Sequence, residues 1–238
     1  MNYLFYIIFA LAPSVIWLLF FLRKDVHPES NRMILIVFSF GILAAIPAAL
    51  IEMGFLQILQ DFIKSSILFL ILSVFIGVAL IEEVFKYLVV KGGVFTNPEF
   101  DEPIDVLLYM IIAALGFAVT ENLLILSPIS EPFQFQFWET LTISAFRFIG
   151  ATFLHALCSG TLGYFLAISF LKTRERFKLL FFGFSLTILL HGLYNFSIMK
   201  IEGNLRFAIP IAILMTLAIF VSLGFQKLKK IKSICLIK

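Results

Sequence analysis

Charge is scarce in this chain. Only 18 Lys and Arg and 15 Asp and Glu are spread over 238 residues, 14% of the total, against 61% hydrophobic residues. A soluble globular domain carries about 25% charged residues, so water is excluded as the default surroundings of the fold. Cysteine is scarcer still: Cys158 lies inside an apolar run and Cys235 near the end, and a structural disulfide between them is not expected. Also missing are a low-complexity linker, a convincing internal repeat, a polar stretch long enough for a separate soluble domain, and any HExxH motif. The net charge of +3 reads as a signal of membrane orientation and not as a nucleic-acid footprint, so no nucleic-acid partner is expected.

What is present is hydrocarbon, including thirty phenylalanines. An α-helix needs about 20 apolar residues to cross a bilayer, and seven such runs occur, at about 3–22, 33–53, 66–90, 104–126, 139–171, 179–199 and 205–226. The expected fold class is an all-α polytopic integral membrane protein with about seven transmembrane helices, forming one domain over residues 1–238. The first run lacks a basic n-region and ends in RKD, so it is expected to be retained and not cleaved as a signal peptide.

Lys and Arg in short connections set the orientation, because such loops stay in the cytoplasm. RKDVHPESNR carries Arg23, Lys24 and Arg32; LKTRERFK carries Lys172, Arg174, Arg176 and Lys178; the tail carries Lys227, Lys229, Lys230, Lys232 and Lys238. The other side holds Lys64, nothing basic in SPISEPFQFQF, and Lys200 with Arg206. This places the N-terminus outside and the C-terminus in the cytoplasm, with KGGVFTNPEFDEP assigned to the cytoplasm by alternation alone. The terminal CLIK imitates a prenylation box with a poor last residue, and Asn195-Phe196-Ser197 matches a glycosylation sequon at a helix end; neither is expected to be used.

Ionisable residues inside apolar runs are the informative exceptions. Each costs about 2.5–3.5 kcal/mol at a helix centre, so they persist mainly where they pair or work. In ALIEEVFKYLVV, Lys86 lies three residues after Glu83 and four after Glu82, so one acid is expected to pair with it while the other points into the bundle. LGFAVTENLLIL carries Glu121 one turn after Phe117 and next to Asn122. In AFRFIGATFLHALCSG, the residues Arg147, Ala151, His155 and Ser159 recur at four-residue steps; Arg147 reads as a structural counter-ion and Cys158 as packing. HGLYN puts His191 and Asn195 one turn apart, with Gly192 permitting close helix approach. Taken singly, each motif is also explained by a polar contact between helices. Glu52, near the expected end of the second helix, reads as interfacial. Together Glu82, Glu83, Glu121, His155, His191 and Asn195 supply a carboxylate base, imidazoles and an amide donor, the groups that activate water and hold an oxyanion, along with carboxylate and imidazole ligands suited to zinc.

EEVFK, FAVTEN, HALCSG and HGLYN, in this order on successive helices, resemble the PrsW family of intramembrane proteases, related to the CAAX-prenyl-protease and bacteriocin-processing superfamily. ALAPSVIWLLFFLRKDVHPE, with Pro13, Trp17, Asp25 and Pro28, resembles the N-terminal part of that family, and the likeness spans most of the chain. Glu82 and Glu83 match the paired acids, Phe117 and Glu121 the second motif, His155 the third, and His191 with Asn195 the fourth. Where the CAAX-type relatives end the second motif in histidine, Glu121 follows the PrsW form.

The resemblance implies an intramembrane endopeptidase that hydrolyses a peptide bond of a membrane-associated protein; the family's namesake begins cleavage of a membrane-bound anti-sigma factor. It implies a bacterial cytoplasmic membrane protein and a metalloprotease-like enzyme, with Glu82, Glu121, His155 and His191 as the ligands Zn2+ would take. In the relatives a glutamate-activated water without metal has also been argued, and zinc stays open here. The expected site is a polar cavity between helices 3 to 6. One of Glu82 or Glu83 is the general base, Lys86 pins the acid pair, His191 with Asn195 polarises the scissile carbonyl, and Glu121 with His155 holds water or metal. Simple helix ends leave Glu82 and Glu121 about 10 Å apart in depth at 1.5 Å per residue. Two other readings compete: a proton- or cation-coupled transporter, which would predict an internal repeat, and a non-catalytic membrane binding protein of the same fold.

Overall fold

Inside hydrocarbon every backbone N–H and C=O must find its partner within the protein, and a helix satisfies them within its own segment. The chain accordingly spends its apolar runs as helix. The computed structural model describes residues 3–25, 27–97, 100–126 and 137–231; sequence readings on the 127–136 connection, on Pro98 and Glu99, and on the tail with Lys232, Cys235 and Lys238 lie outside the described residues.

In chain order the helices are α1 (Tyr3–Leu22), α2 (Asn31–Phe62), α3 (Ser66–Leu72), α4 (Ile81–Gly93), α5 (Pro103–Leu126), α6 (Phe137–Ile149), α7 (Ala151–Leu171), α8 (Arg176–Lys200) and α9 (Leu205–Leu228). A π-helical segment, Ser73–Leu80, joins α3 to α4 without a break. Among the described residues seven helical stretches are long and apolar enough to span a bilayer, with α3 to α4 forming the third and α6 with α7 the fifth. The expected all-α, seven-span integral membrane architecture is what the chain adopts.

The centre of the bundle is α5. Every residue from Pro103 to Ala118 is buried, whereas α1, α2 and α9 turn Leu, Ile and Phe side chains outward, as helices bordered by lipid do. Small residues let α2 reach this centre. A Cβ on Gly116 would press on the carbonyl oxygen of Phe38 and lie 3.0 Å from its carbon and 3.2 Å from the Cα of Gly41. The two backbones thus touch through facing glycines, the close approach by which membrane helices gain packing in the absence of a hydrophobic drive. Beside this crossing the Thr120 hydroxyl donates to the Ile42 carbonyl at 2.8 Å.

Three features depart from the sequence reading. First, α2 continues to Phe62, so Glu52 sits ten residues before the helix end and is half-buried; its expected interfacial placement rested on a helix ending near residue 53. Glu52 follows Ala45 and Ala48 on the side that packs against Phe117, Ile81 and Phe85. Second, the third span widens into π-helix directly before Glu82. Such segments cluster at functional sites, and this one carries the Phe75 ring onto α8, where a Cβ on Gly192 would lie 2.7 Å from Phe75 Cε1; Gly192 is the close-approach residue expected.

Third, the fifth span breaks at Gly150, whose φ of −94° and ψ of −96° lie outside the helical range. A Cβ there would lie 2.9 Å from the Phe146 carbonyl oxygen and 3.8 Å from Cζ of Tyr194. Trp17 covers the break: its indole N–H donates to the Phe148 carbonyl at 2.8 Å, and its ring stacks on Phe153 with centroids 4.0 Å apart. A carbonyl released from the helical ladder is thereby paired within the protein.

Candidate active site

The sequence puts Glu82, Glu83 and Lys86 in the first turn and a half of α4, and helical geometry brings all three onto one side. The lysine does not choose between the acids. Lys86 Nζ donates to Glu82 Oε2 at 3.0 Å and to Glu83 Oε1 at 2.9 Å, so the expectation that one carboxylate is left unpaired is replaced by a bridge to both. Its third contact is His155 Nδ1 on α7, at 2.7 Å. All four residues are buried, and Lys86 lies 4.8 Å from the centroid of the Phe117 ring.

Because an ammonium can only donate, His155 Nδ1 is the acceptor, and the ring proton is on Nε2. That nitrogen faces Glu121 Oε2 at 3.0 Å and donates to it. The imidazole therefore reaches from the acid pair to Glu121 and closes the depth difference expected from helix ends alone. Glu121 is gripped from its other side by Arg147 Nη2 at 3.0 Å, while Arg147 Nε donates to Asn122 Oδ1. Asn122 in turn donates to the Ala10 carbonyl at 3.1 Å and to Thr152 Oγ1 at 3.2 Å. The second oxygen of Glu121, Oε1, is buried without a hydrogen-bond partner among the described residues.

Glu83 is the most tightly held acid. Beyond Lys86 it accepts from Ser159 Oγ at 2.8 Å through Oε2 and from His191 Nδ1 at 3.2 Å through Oε1. With Nδ1 donating, the lone pair of His191 is on Nε2, which lies 3.8 Å from Glu82 Oε2. Among the described residues Glu82 is hydrogen-bonded through Oε2 alone. The two imidazoles stand edge to face, 5.2 Å apart at 85°.

The four-residue steps on the fifth span survive the break at Gly150: Arg147, His155 and Ser159 all enter the network, with Arg147 the counter-ion expected. Ser159 and Asn122 are the members whose positioning parts went unassigned in the sequence; the first carried the periodic signal, and the second lay beside Glu121. Asn195, half-buried one turn after His191, takes no part in these hydrogen bonds. Cys158 is buried and free, as packing requires.

Glu82, Glu83, His155 and His191 each offer a ligand atom within 4.8 Å of the others. Two carboxylates and two imidazoles are a donor set that suits a divalent ion such as zinc in kind and number. Glu121 stands outside this group, behind His155.

A sequence model of the family described as "PrsW family intramembrane metalloprotease" matches residues 29–223. The chain is similar to Protease PrsW of Oceanobacillus iheyensis, 29% identical over 205 residues that cover 86% of this chain and 88% of that protein. It is similar to Protease PrsW of Geobacillus kaustophilus at 30% over 192 residues, covering 80% and 78%, and to Protease PrsW of Bacillus subtilis at 26% over 226 residues, covering 94% of each. No solved structure matches the chain.

Proposed function

Since the chain belongs to the PrsW family of intramembrane metalloproteases, and is thereby an integral-membrane endopeptidase acting on a membrane-associated substrate, we propose that the Glu82, Glu83, His155 and His191 cluster is where the peptide bond is cut. The observation that carries this reading is the convergence of four ionisable residues from α4, α7 and α8, with Glu121 of α5 joined through His155, in the middle of an otherwise apolar bundle.

Glu82 is the general base. Glu83 has both oxygens engaged, whereas Glu82 keeps one free of hydrogen bonds to take a proton from water. The water oxygen bonds to the scissile carbonyl carbon as that proton passes to Glu82. His191 Nε2 then relays it to the leaving nitrogen as the C–N bond breaks, yielding a carboxylic acid and an amine, which become carboxylate and ammonium as the acid's proton passes to the amine. Asn195, one turn beyond His191, supplies an amide N–H to the carbonyl oxygen. Lys86, Ser159 and Arg147 are positioning residues, and the free oxygen of Glu121 accepts from water or a substrate N–H. Glu82, Glu83, His155 and His191 would hold a zinc ion, whose chemistry there is polarisation of an oxygen.

The reading treats residues 1–238 as one transmembrane protease domain of a bacterial cytoplasmic membrane, with N-terminus outside and C-terminus inside on the count of basic residues. An anti-sigma-factor-like protein is the substrate class the resemblance suggests. Comparative proteomics of membrane fractions tests it. Strains carrying Glu82→Gln and a deletion should accumulate the same uncleaved precursors, with turnover reduced by about 100-fold or more as loss of a general base requires. A Glu82→Gln strain whose membrane proteome matches wild type while the deletion differs refutes the assignment.

A further inference from the structure

The donors that suit a metal already surround a cation of the chain's own. Lys86 Nζ lies 3.0 Å from Glu82 Oε2, 2.9 Å from Glu83 Oε1 and 2.7 Å from His155 Nδ1, three of the four residues that could bind an ion. An ammonium has three N–H groups, and here each has an acceptor. The lone pair of His155 Nδ1, which a metal would need, is committed to that contact. A zinc ion requires its ligands at about 2.0–2.2 Å, which leaves no room for an ammonium among the same atoms.

We propose that Lys86 is a built-in occupant of the metal position, so that its ammonium and a divalent cation compete for Glu82, Glu83 and His155. The side chain has somewhere to go. Phe117 and Glu121 stand one turn apart on α5, the Lys86 ammonium already lies over the Phe117 ring, and Glu121 Oε1 is a buried acceptor without a partner among the described residues. Lys86 swinging past Phe117 to that oxygen frees the nest while keeping its charge paired. The resting enzyme is thus closed to metal by a residue of its own, and metal affinity is set by the cost of moving Lys86. The family's paired-acid motif then carries its own competitor within one helical turn.

This inference rests on the reading of the cluster as the reaction centre, but its test reads metal and not cleavage, so either can fail alone. Wild type, Lys86→Met and Lys86→Arg are purified in detergent, stripped with chelator, desalted and titrated with Co2+, following the visible absorption of the bound ion; metal per chain as isolated is counted by mass spectrometry. Lys86→Met should bind one ion per chain at least about 100-fold more tightly than wild type, as removal of a unit charge a few ångströms from a divalent ion demands. Lys86→Arg should stay as weak as wild type, and His191→Ala in the Lys86→Met background should lose the gain. Lys86→Gln substitutes if Lys86→Met does not elute as a single folded species, and if neither folds the wild-type metal count decides. Equal affinity of wild type and the neutral variant, or wild type isolated with one tightly held ion per chain, overturns the proposal.

Discussion

Replacing Gly116 by alanine adds one methyl group where α5 meets α2. The new carbon would press on the Phe38 carbonyl oxygen, 3.0 Å from its carbon and 3.2 Å from the Cα of Gly41. These neighbours are backbone, so no side chain can rotate away and the helices must part. Overpacking of this kind costs about 1–3 kcal/mol, and the Thr120 to Ile42 hydrogen bond beside it is worth about 0.6 kcal/mol if lost. The expected loss is about 2–4 kcal/mol, or roughly 4–16 °C in melting temperature for a chain of this size. Cys158 provides the assay: buried in the fold, it becomes reactive to a thiol-sensing fluorophore on heating, in a Cys235→Ser background. Gly54 is the control, since nothing lies within 4 Å of a Cβ placed there, and Gly54→Ala should be neutral or gain up to about 1 kcal/mol of helix propensity. Separation of α5 from α2 also draws Glu121, five residues on, away from His155, so Gly116→Ala should lose proteolysis beyond what its unfolded fraction explains. If Gly116→Ala melts with Gly54→Ala and cleaves like wild type, the backbone contact does not exist as described.

Three further outcomes are expected. Arg147→Ala removes the donors to Glu121 and Asn122 and should cost about 1–3 kcal/mol, with Arg147→Lys falling between it and wild type; equal melting of all three would show the network is not holding α6. Burial raises the Glu29 carboxyl above its ordinary 4.5, with Asp25 and Asp101 adding to the rise and hydrogen bonds from Tyr109 and Asp105 opposing it. A raised acid contributes stability at low pH that is lost as pH climbs past 4.5 and through its folded value, so Glu29→Gln should flatten the fall of melting temperature with pH above 4.5, and an unchanged slope counts against this. A reporter fused after Lys238 should be active only in its cytoplasmic form, whereas activity of its periplasmic form would invert the orientation.

The spans were legible because the bilayer allows little else: a run of about 20 apolar residues has one inexpensive conformation there, and all seven were found within a few residues except at the far end of α2. Its continuation through Glu52, Gln57 and Gln60 was hidden because polar residues spaced along a helix look like an exit from the membrane. The break at Gly150 was also invisible. A glycine in an apolar run is common, and the partner of the carbonyl released at the break is a tryptophan 131 positions before it. At the site, the Glu82, Glu83 and Lys86 group was readable from intrahelical spacing, as was the alignment of Arg147, His155 and Ser159. Which nitrogen of His155 faces which acid was not, since that depends on how α7 is rotated against α4 and α5. The bridging of both acids by one lysine was equally closed to sequence reasoning, because i,i+3 and i,i+4 pairs look like alternatives until the rotamers are known.

The seat of Trp17 has a consequence for the order in which the protein can be made. Its partner, the Phe148 carbonyl, lies 131 residues further along the chain. At about 5–20 residues per second, the ribosome needs roughly 7–26 s after making Trp17 to deliver that carbonyl. Ala10 waits nearly as long for Asn122, 112 residues on, and Phe9 slightly longer for Ser144, 135 residues on. Until α5 and the fifth span follow, α1 stands in the bilayer without these partners, and from Tyr3 to Leu22 it carries no charged side chain; Pro13, which has no N–H, leaves the Phe9 carbonyl without its usual in-helix donor until Ser144 supplies one. The fifth span has the same need: the Phe148 carbonyl at its break takes its donor from Trp17 of α1. The first span and the bent span that carries Arg147 and His155 thus each supply a donor that the other's helix lacks, and the pair is completed only when both are in the bilayer.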